Sequence, residues 1–206
     1  MKAKVEKLNF TVELTALQEF YESIKNNELK WTFSKYTDQL HPITVQKYAG
    51  YNYDTCPYGW ALTSPHDEDQ PTSPWAITNY APGTSQRPTH LMTGIVKSIF
   101  DKMPASAFEF SITVHPPAAE IVKHSDGDNT LRIHIPIFNT THFIIDDEGE
   151  TEYKLEPTGE AYLIDTRFQH RTVNPTDADR VSLIIGIPPD AEEAVKSIVG
   201  IIGNSK

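Results

Sequence analysis

Six short runs between residues 107 and 187 constrain this chain more than anything else in it: AFEFSITVH, LRIHIPIF, HFIID, EYKLEP, AYLID and RVSLIIGI. Each is rich in β-branched and aromatic residues, and turn signals such as Asp-Gly and Glu-Gly separate them. Alternation is clearest in LRIHIPIF, where Leu131, Ile133, Ile135 and Ile137 share one side of a strand and Arg132 and His134 the other. Short strands at this spacing predict a sandwich, jelly roll or barrel. A strand with polar residues on one side must turn that side to solvent or to a functional cavity.

The flanks read differently. LTALQEFYESIKN repeats Leu14, Leu17, Tyr21 and Ile24 at helical spacing, with Thr15 and Gln18 as a candidate capping box. THLMTGIVKSIF predicts a second helix with Thr89 as N-cap and Met92, Ile95, Val96 and Ile99 as its apolar stripe. The end, PPDAEEAVKSIVGII, predicts a closing helix capped at Asp190, with Glu193 three residues on and an apolar face through Val195, Ile198 and Val199. Between Tyr48 and Pro88, prolines, glycines and aromatics break both periodicities. The organisation expected is one domain over residues 1–206: a helical and loop-rich part, 1–105, packing on a β core at 106–188, and a C-terminal helix at 189–206.

Charge narrows the partners. Eighteen basic against twenty-eight acidic side chains give a formal charge of −10, which disfavours nucleic acid, since a phosphate-tracking surface needs clustered Lys and Arg. No run approaches the roughly 18 apolar residues of a membrane span. A single cysteine, Cys56, and a start without a secretory apolar stretch lead us to expect a cytoplasmic protein without membrane contact.

The chemistry-bearing residues lie inside the β region. His124 and Asp126 sit two apart, close enough on a strand to share an ion. Taken alone this pair is as readily a polar turn. His170 follows near the far end of the region, suited to a ligand from a later strand, and two histidines with one carboxylate are the facial set of non-haem Fe(II) oxygenases. Arg180 and Ser182 then share one side of a strand whose other side carries Val181, Leu183 and Ile185. An arginine facing a cavity needs an anion, and a guanidinium fork beside a hydroxyl suits a carboxylate.

In this order and spacing, HSDGDNTLRIHIPI followed by FQHRTVNPTDADRVSLIIGI resembles the Fe(II)/2-oxoglutarate-dependent dioxygenases. Within them it is similar to the aspartyl/asparaginyl β-hydroxylase-like group, which includes bacterial free-proline hydroxylases. The resemblance covers roughly residues 106–188 and implies a mainly β fold with flanking helices, a cupin-like double-stranded β-helix or jelly roll. It further implies His124, Asp126 and His170 as Fe(II) ligands, Arg180 with Ser182 on the distal carboxylate of 2-oxoglutarate, and Arg132 and His134 along the cosubstrate pocket. Oxidation by O2, with release of succinate and CO2, would hydroxylate an amino acid, a peptidyl side chain (Asp, Asn or Pro) or another small molecule. Protein-aspartyl hydroxylases of the group often have glycine where this chain has Asp126, which favours the proline-hydroxylase branch and disfavours halogenation.

Other readings stand beside this one. A cupin-like metal enzyme without 2-oxoglutarate would keep the metal but not require Arg180 and Ser182, and a non-catalytic ligand-binding jelly roll would need neither. Residues 48–88 are a candidate substrate cover or, equally, an outer wall anchored by Trp60 and Trp75. His41, His66, His90, His115 and His142 lack partners at ligand spacing and read as surface or structural. For Arg132 the structural alternative is a cross-strand ion pair with Asp165 or Glu160, and for His134 a core histidine bonded to a carbonyl. Arg167 and Arg171, flanking His170, are either exposed loop arginines or reach an acidic substrate. Nothing in the sequence speaks to oligomeric state.

Overall fold

Every one of the six β runs forms a strand, and all but one of their neighbours in space come from elsewhere in the chain. The structure is a computed structural model that describes residues 4–32, 57–64 and 87–204. Its strands are β1 (Val5–Val12), β2 (Lys30–Thr32), β3 (Tyr58–Ala61), β4 (Thr63–Ser64), β5 (Arg87–Pro88), β6 (Phe108–His115), β7 (Glu120–His124) and β8 (Leu131–Phe138). They continue as β9 (Thr141–Asp146), β10 (Glu150–Leu155), β11 (Glu160–Ile164), β12 (Gln169–Val173), β13 (Arg180–Ile187) and β14 (Gly200–Ile202). The helices are α1 (Leu14–Ile24), α2 (Gly94–Phe100) and α3 (Glu192–Lys196), the last entered through a 3₁₀ turn at Pro189–Ala191.

Two sheets face each other. One has eight strands in the order β14-β1-β11-β8-β13-β6-β3-β2, and the other has four in the order β10-β9-β12-β7. Apart from the β9–β10 hairpin, successive strands from β6 to β13 alternate between the sheets, so each sheet interleaves strands distant in sequence. This is the jelly-roll winding of a double-stranded β-helix, and the fold is mainly β with flanking helices as expected.

The eight-stranded sheet has two unlike faces. Val181, Leu183, Ile185 and Ile187 of β13, Leu131, Ile133, Ile135 and Ile137 of β8, and Phe110, Ile112 and Val114 of β6 join one core with Leu17, Phe20, Ile95, Val96 and Ile99 of the helices. The opposite face carries Ser111, Thr113, His115, Arg132, His134, Arg180 and Ser182, all buried against the second sheet. A smaller apolar cluster of Phe143, Ile145, Leu155 and Ile164 closes part of the space between the sheets.

Several boundaries differ from the sequence expectations. The N-terminal part is more than a helical layer, because β1 pairs with β11 and β3 with β6, extending the main sheet at both edges. In β1 the alternation was there to be read, with Leu8, Phe10 and Val12 buried and Lys7 and Asn9 exposed. Helix α1 begins at Leu14 with Glu13 as N-cap, which places Thr15 inside the helix and removes the capping box. Helix α2 begins at Gly94, and Thr89 instead bonds the Ala61 and Leu62 carbonyls through Oγ1, each at 3.2 Å. The closing helix ends at Lys196, not at the chain end. Asp190 lies in the 3₁₀ turn, Val199 is exposed, and residues 200–202 form β14, parallel to β1.

Trp60 is 1% exposed and belongs to the helical-side core, where its Nε1 donates to the Asn27 carbonyl at 3.2 Å. That matches the anchoring role for this residue. Most of the 48–88 segment, with Trp75, His41 and His66, lies outside the described residues. No helix among the described residues is long and apolar enough to cross a membrane.

Candidate metal centre and the cavity behind it

Strand β7 ends at His124, and β12 carries His170 directly opposite it in the antiparallel register. Their rings lie 4.3 Å apart, centroid to centroid. Asp126 sits just beyond the strand, so strand parity does not deliver it. Its backbone N–H donates to the Thr166 carbonyl at 2.9 Å, tying its loop to the loop before β12. One ligand atom from each of His124, Asp126 and His170 falls within 4.8 Å of the others, the only such cluster of three metal-ligand types among the described residues.

The local bonds leave the right atoms free. Nδ1 of His124 lies 2.7 Å from the Val122 carbonyl, and Nδ1 of His170 lies 3.0 Å from the Phe168 carbonyl. A carbonyl only accepts, so both Nδ1 atoms donate and both Nε2 lone pairs are left toward Asp126, the tautomer a metal requires. Burial lowers the His170 pKa to about 4, which keeps that imidazole neutral. Phe143 stacks on it with centroids 5.1 Å apart and the planes 17° from parallel, fixing the ring.

Burial alone would raise the Asp126 carboxyl, but the Arg132 guanidinium beside it holds it well below the usual carboxylate range. Nε of Arg132 donates to Oδ2 at 2.8 Å, while Oδ1 lies 3.3 Å from Nε2 of His124. One oxygen is thus oriented by arginine and the other faces the histidines. Arg132 also bonds Glu109 through Nη1. Burial disfavours its charge, but Glu109 and Asp126 more than restore it. The expected partners Asp165 and Glu160 are engaged elsewhere, by Arg167 and by Lys7 with Tyr162. Arg132 therefore lies on the buried polar face as expected, and there it bonds both Asp126 and Glu109.

Behind the His124, Asp126 and His170 cluster the space between the sheets is polar and, among the described residues, poorly satisfied. Arg180 is 2% exposed, and its Nε and Nη1 have no hydrogen-bond partner among the described residues. Burial pushes its guanidinium down to about 9, so it remains charged at neutral pH, with no ion-pair partner among the described residues. Ser182 Oγ lies 3.2 Å from Thr141 Oγ1 on the facing sheet. The Nδ1 of His134 is likewise unpartnered, and burial with the Arg180 and Arg132 charges lowers its pKa to about 3. A carbonyl-bonded core role for that nitrogen is not what the structure has.

Two residues at this cavity were missed from the sequence. His115 pairs across the ladder with Arg180, is 1% exposed and has both ring nitrogens unpartnered; burial, then Arg180, holds its pKa well below the ordinary value. Thr113, the ladder partner of Ser182, has an unpartnered buried hydroxyl. The signal that could have found them is the alternation of FEFSITVH, which puts Thr113 and His115 on one side, but the partner strand that makes this side a cavity comes much later. Asn174 ties the ends together: its Nδ2 donates to the His115 and Ala178 carbonyls, both at 2.8 Å, holding β6 against the loop that delivers Arg180.

Surface arginines near His170 are spent locally. Arg167 forks onto Asp165 at 2.7 and 2.5 Å, and Arg171 reaches Glu120 and Glu150 at 3.4 and 3.1 Å. A groove of about 380 Å³ runs beside the Asp126 loop, lined by Asp128, Asn129, Arg167 and Asp190 among others.

The chain matches the family described as aspartyl/asparaginyl beta-hydroxylase over residues 59–188, more than half of its length. No curated protein matches it. Among solved structures it is similar to a cupin domain from Bordetella pertussis Tohama I, with 18% identity, 39% of this chain and 79% of that one covered, and a TM-score of 0.32. It is similar to a predicted oxalate decarboxylase from Thermotoga maritima at 18% identity, with 45% and 72% covered and a TM-score of 0.34. The capsular polysaccharide assembling protein CapF of Staphylococcus aureus matches at 15% identity and a TM-score of 0.35, and there the likeness covers 38% of this chain and only 22% of CapF. With a family match that takes in the histidines, the aspartate and the buried arginine alike, the chain belongs to the aspartyl/asparaginyl β-hydroxylase family and is an enzyme of the hydroxylase kind.

Proposed function

We propose that this protein is an Fe(II)- and 2-oxoglutarate-dependent dioxygenase that hydroxylates an amino acid or a peptidyl side chain, with His124, Asp126 and His170 as the metal ligands. The observation that carries the reading is Arg180: a buried guanidinium with two nitrogen atoms unpartnered among the described residues, on the sheet face that also carries His134 and Arg132, the latter bonded to Asp126 of the two-histidine, one-carboxylate cluster. An uncompensated buried cation is costly, and a dianionic oxoacid reaching from the metal to the arginine removes that cost.

The residues fit the group they would hold. Two imidazoles held through Nδ1 by backbone carbonyls and one ionised carboxylate would form a facial set suited to Fe(II). Iron, 2-oxoglutarate and O2 together supply the oxidising power, giving succinate and CO2 as coproducts. What the protein contributes is placement. Arg180 forks onto the distal carboxylate, and the Ser182 hydroxyl, already directed by Thr141, donates beside it. His115 and Thr113 border the same carboxylate from β6. His134, neutral because it is buried, offers Nδ1 nearer the metal, two ladder steps from the Arg180 level along β13. The buried walls keep water from the reacting centre.

Substrate approaches, on this reading, through the groove beside Asp128 and Arg167. That groove is acidic on balance, since Arg167 is already paired with Asp165, and so accepts a substrate bearing an amino group. A cupin enzyme without 2-oxoglutarate would leave Arg180 with no anion to bind, which is why the oxygenase is preferred.

The deciding experiment is succinate formation from 2-oxoglutarate under air with Fe(II), with and without a panel of amino acids and peptides, using His170→Ala as blank. Iron-dependent succinate that one panel member stimulates is the expected result. No succinate, together with no 2-oxoglutarate binding to the metal-loaded protein by calorimetry, would overturn the proposal.

A further inference from the structure

Glu109 is a buried carboxylate held in a backbone conformation that glutamate rarely adopts. It is 9% exposed, and its φ of 52° lies in the left-handed region. The ladder explains how it got there. Between β13 and β6, Ile184 pairs with Ser111, but the next pair on that face is Gly186 with Phe108, so β6 takes one more residue than β13 over the same stretch. Glu109 lies in that bulge. Bulges re-aim a side chain, and strained backbone is retained where something depends on it.

The bulge aims Glu109 across a neighbouring strand. Gly186 pairs with Phe108 on one side and with Arg132 of β8 on the other, so Glu109 and Arg132 stand on strands separated by β13. Strands two apart are about 10 Å from each other, a gap that two long side chains can span between them. The space over the intervening Gly186 is taken by the Phe108 ring, which a Cβ there would meet at 2.6 Å, so the glycine lets the bulge pack closely on β13. Glu109 meets Nη1 of Arg132, and Nε of the same guanidinium donates to Oδ2 of Asp126 at 2.8 Å.

We propose that Glu109 is a positioning residue of the metal centre: the bulge in β6 brings its carboxylate to anchor Arg132, and Arg132 in turn holds Asp126 with Oδ1 toward the metal. Without that anchor the guanidinium fork is free to take both oxygens of Asp126 and compete with the ion for them. Partners of this kind commonly change metal affinity by about 10- to 100-fold. The inference rests on His124, Asp126 and His170 being metal ligands and is independent of 2-oxoglutarate.

The test is Co(II) titration of the full chain, followed by visible absorption, for the parent, Glu109→Gln, Asp126→Ala and the double variant. Glu109→Gln should bind Co(II) about 10- to 100-fold more weakly, with its spectrum shifted toward that of Asp126→Ala. The double variant should bind no more weakly than Asp126→Ala alone, because no carboxylate is left to orient. Unchanged affinity and spectrum in Glu109→Gln, or a further equal loss on the Asp126→Ala background, overturns the proposal. Should Glu109→Gln fail to melt cooperatively, Arg132→Lys takes its place: lysine keeps the charge but lacks the fork that bridges two carboxylates, and parent-like Co(II) affinity would again overturn it. A parent that binds no Co(II) removes the metal reading and this inference together. One that binds Co(II) but no 2-oxoglutarate removes only the proposed cosubstrate.

Discussion

Strand β8 presents two faces of one sheet side by side. Leu131, Ile133, Ile135 and Ile137 are at most 2% exposed and pack against the helical layer, while Arg132 and His134, equally out of reach of water, look into the cavity between the sheets. Strand β13 repeats the division, with Leu183 and Ile185 on one side and Arg180 and Ser182 on the other. Both faces are buried, yet only one is satisfied. Aliphatic side chains need nothing but close packing, whereas Arg180, His115 and His134 keep polar atoms without partners. The comparison teaches that stability and chemistry here are separated by strand parity and not by region, so substitutions one residue apart should fail in different ways.

The largest effect expected is on the polar side. His170→Ala should abolish iron-dependent succinate formation while the protein still unfolds cooperatively; turnover near the parent level would remove His170 from the site. On the apolar side, Ile135→Ala should cost about 2 to 5 kcal/mol of unfolding free energy in urea and leave the per-molecule rate of folded enzyme unchanged. A loss of turnover in excess of the unfolded fraction would mean the two faces are coupled.

Arg180→Ala sharpens the contrast, because it should weaken 2-oxoglutarate binding by about 2 to 4 kcal/mol in calorimetry. The same substitution should leave the ligand-free protein at least as stable as the parent, since it removes a buried charge that lacks a partner. A clear drop in melting temperature would show that Arg180 is held by structure and not reserved for a ligand.

A further effect is a pH dependence of stability that belongs to the polar face. His134 has its pKa lowered to about 3 by burial, and His115 is lowered in the same direction. In the unfolded chain both return to about 6.5, so below that pH the unfolded state binds the extra protons. Stability contributed by the neutral rings is therefore complete above about pH 6.5 and lost as pH falls toward 3, at about 1.4 kcal/mol per unit for each ring. Melting curves between pH 7 and pH 4.5 should show this slope, flattened in His134→Gln and untouched in Ile135→Val. Equal slopes in all three would assign the acid sensitivity to other groups.

Much of this arrangement was legible before any coordinates. Period-two alternation located the six strands, because a side chain's face follows from its parity alone. The spacing of His124, Asp126, His170, Arg180 and Ser182 carried the candidate site, since each of these residue types is uncommon on a buried strand face without a partner or ligand. The strands bearing the two histidines, β7 and β12, were harder: their polar neighbours Lys123, Gln169 and Arg171 dilute the β signal. The C-terminal segment was read as helix to its end because Val195, Ile198 and Val199 keep helical spacing. Instead the helix ends at Lys196, Gly200 adopts a φ of 93°, and residues 200–202 find an open edge at β1.

By itself, then, the sequence determined the strand content, the two-faced character of β8 and β13, and the ligand types available to a metal. Only the tertiary structure decided which distant strands stand next to one another. That choice put His115 beside Arg180, set Gly186 between Phe108 and Arg132, and brought Arg132 into contact with both Asp126 and Glu109. The physical reason is that local pattern specifies a strand's faces, whereas register and bulges are set by partners contributed from far along the chain.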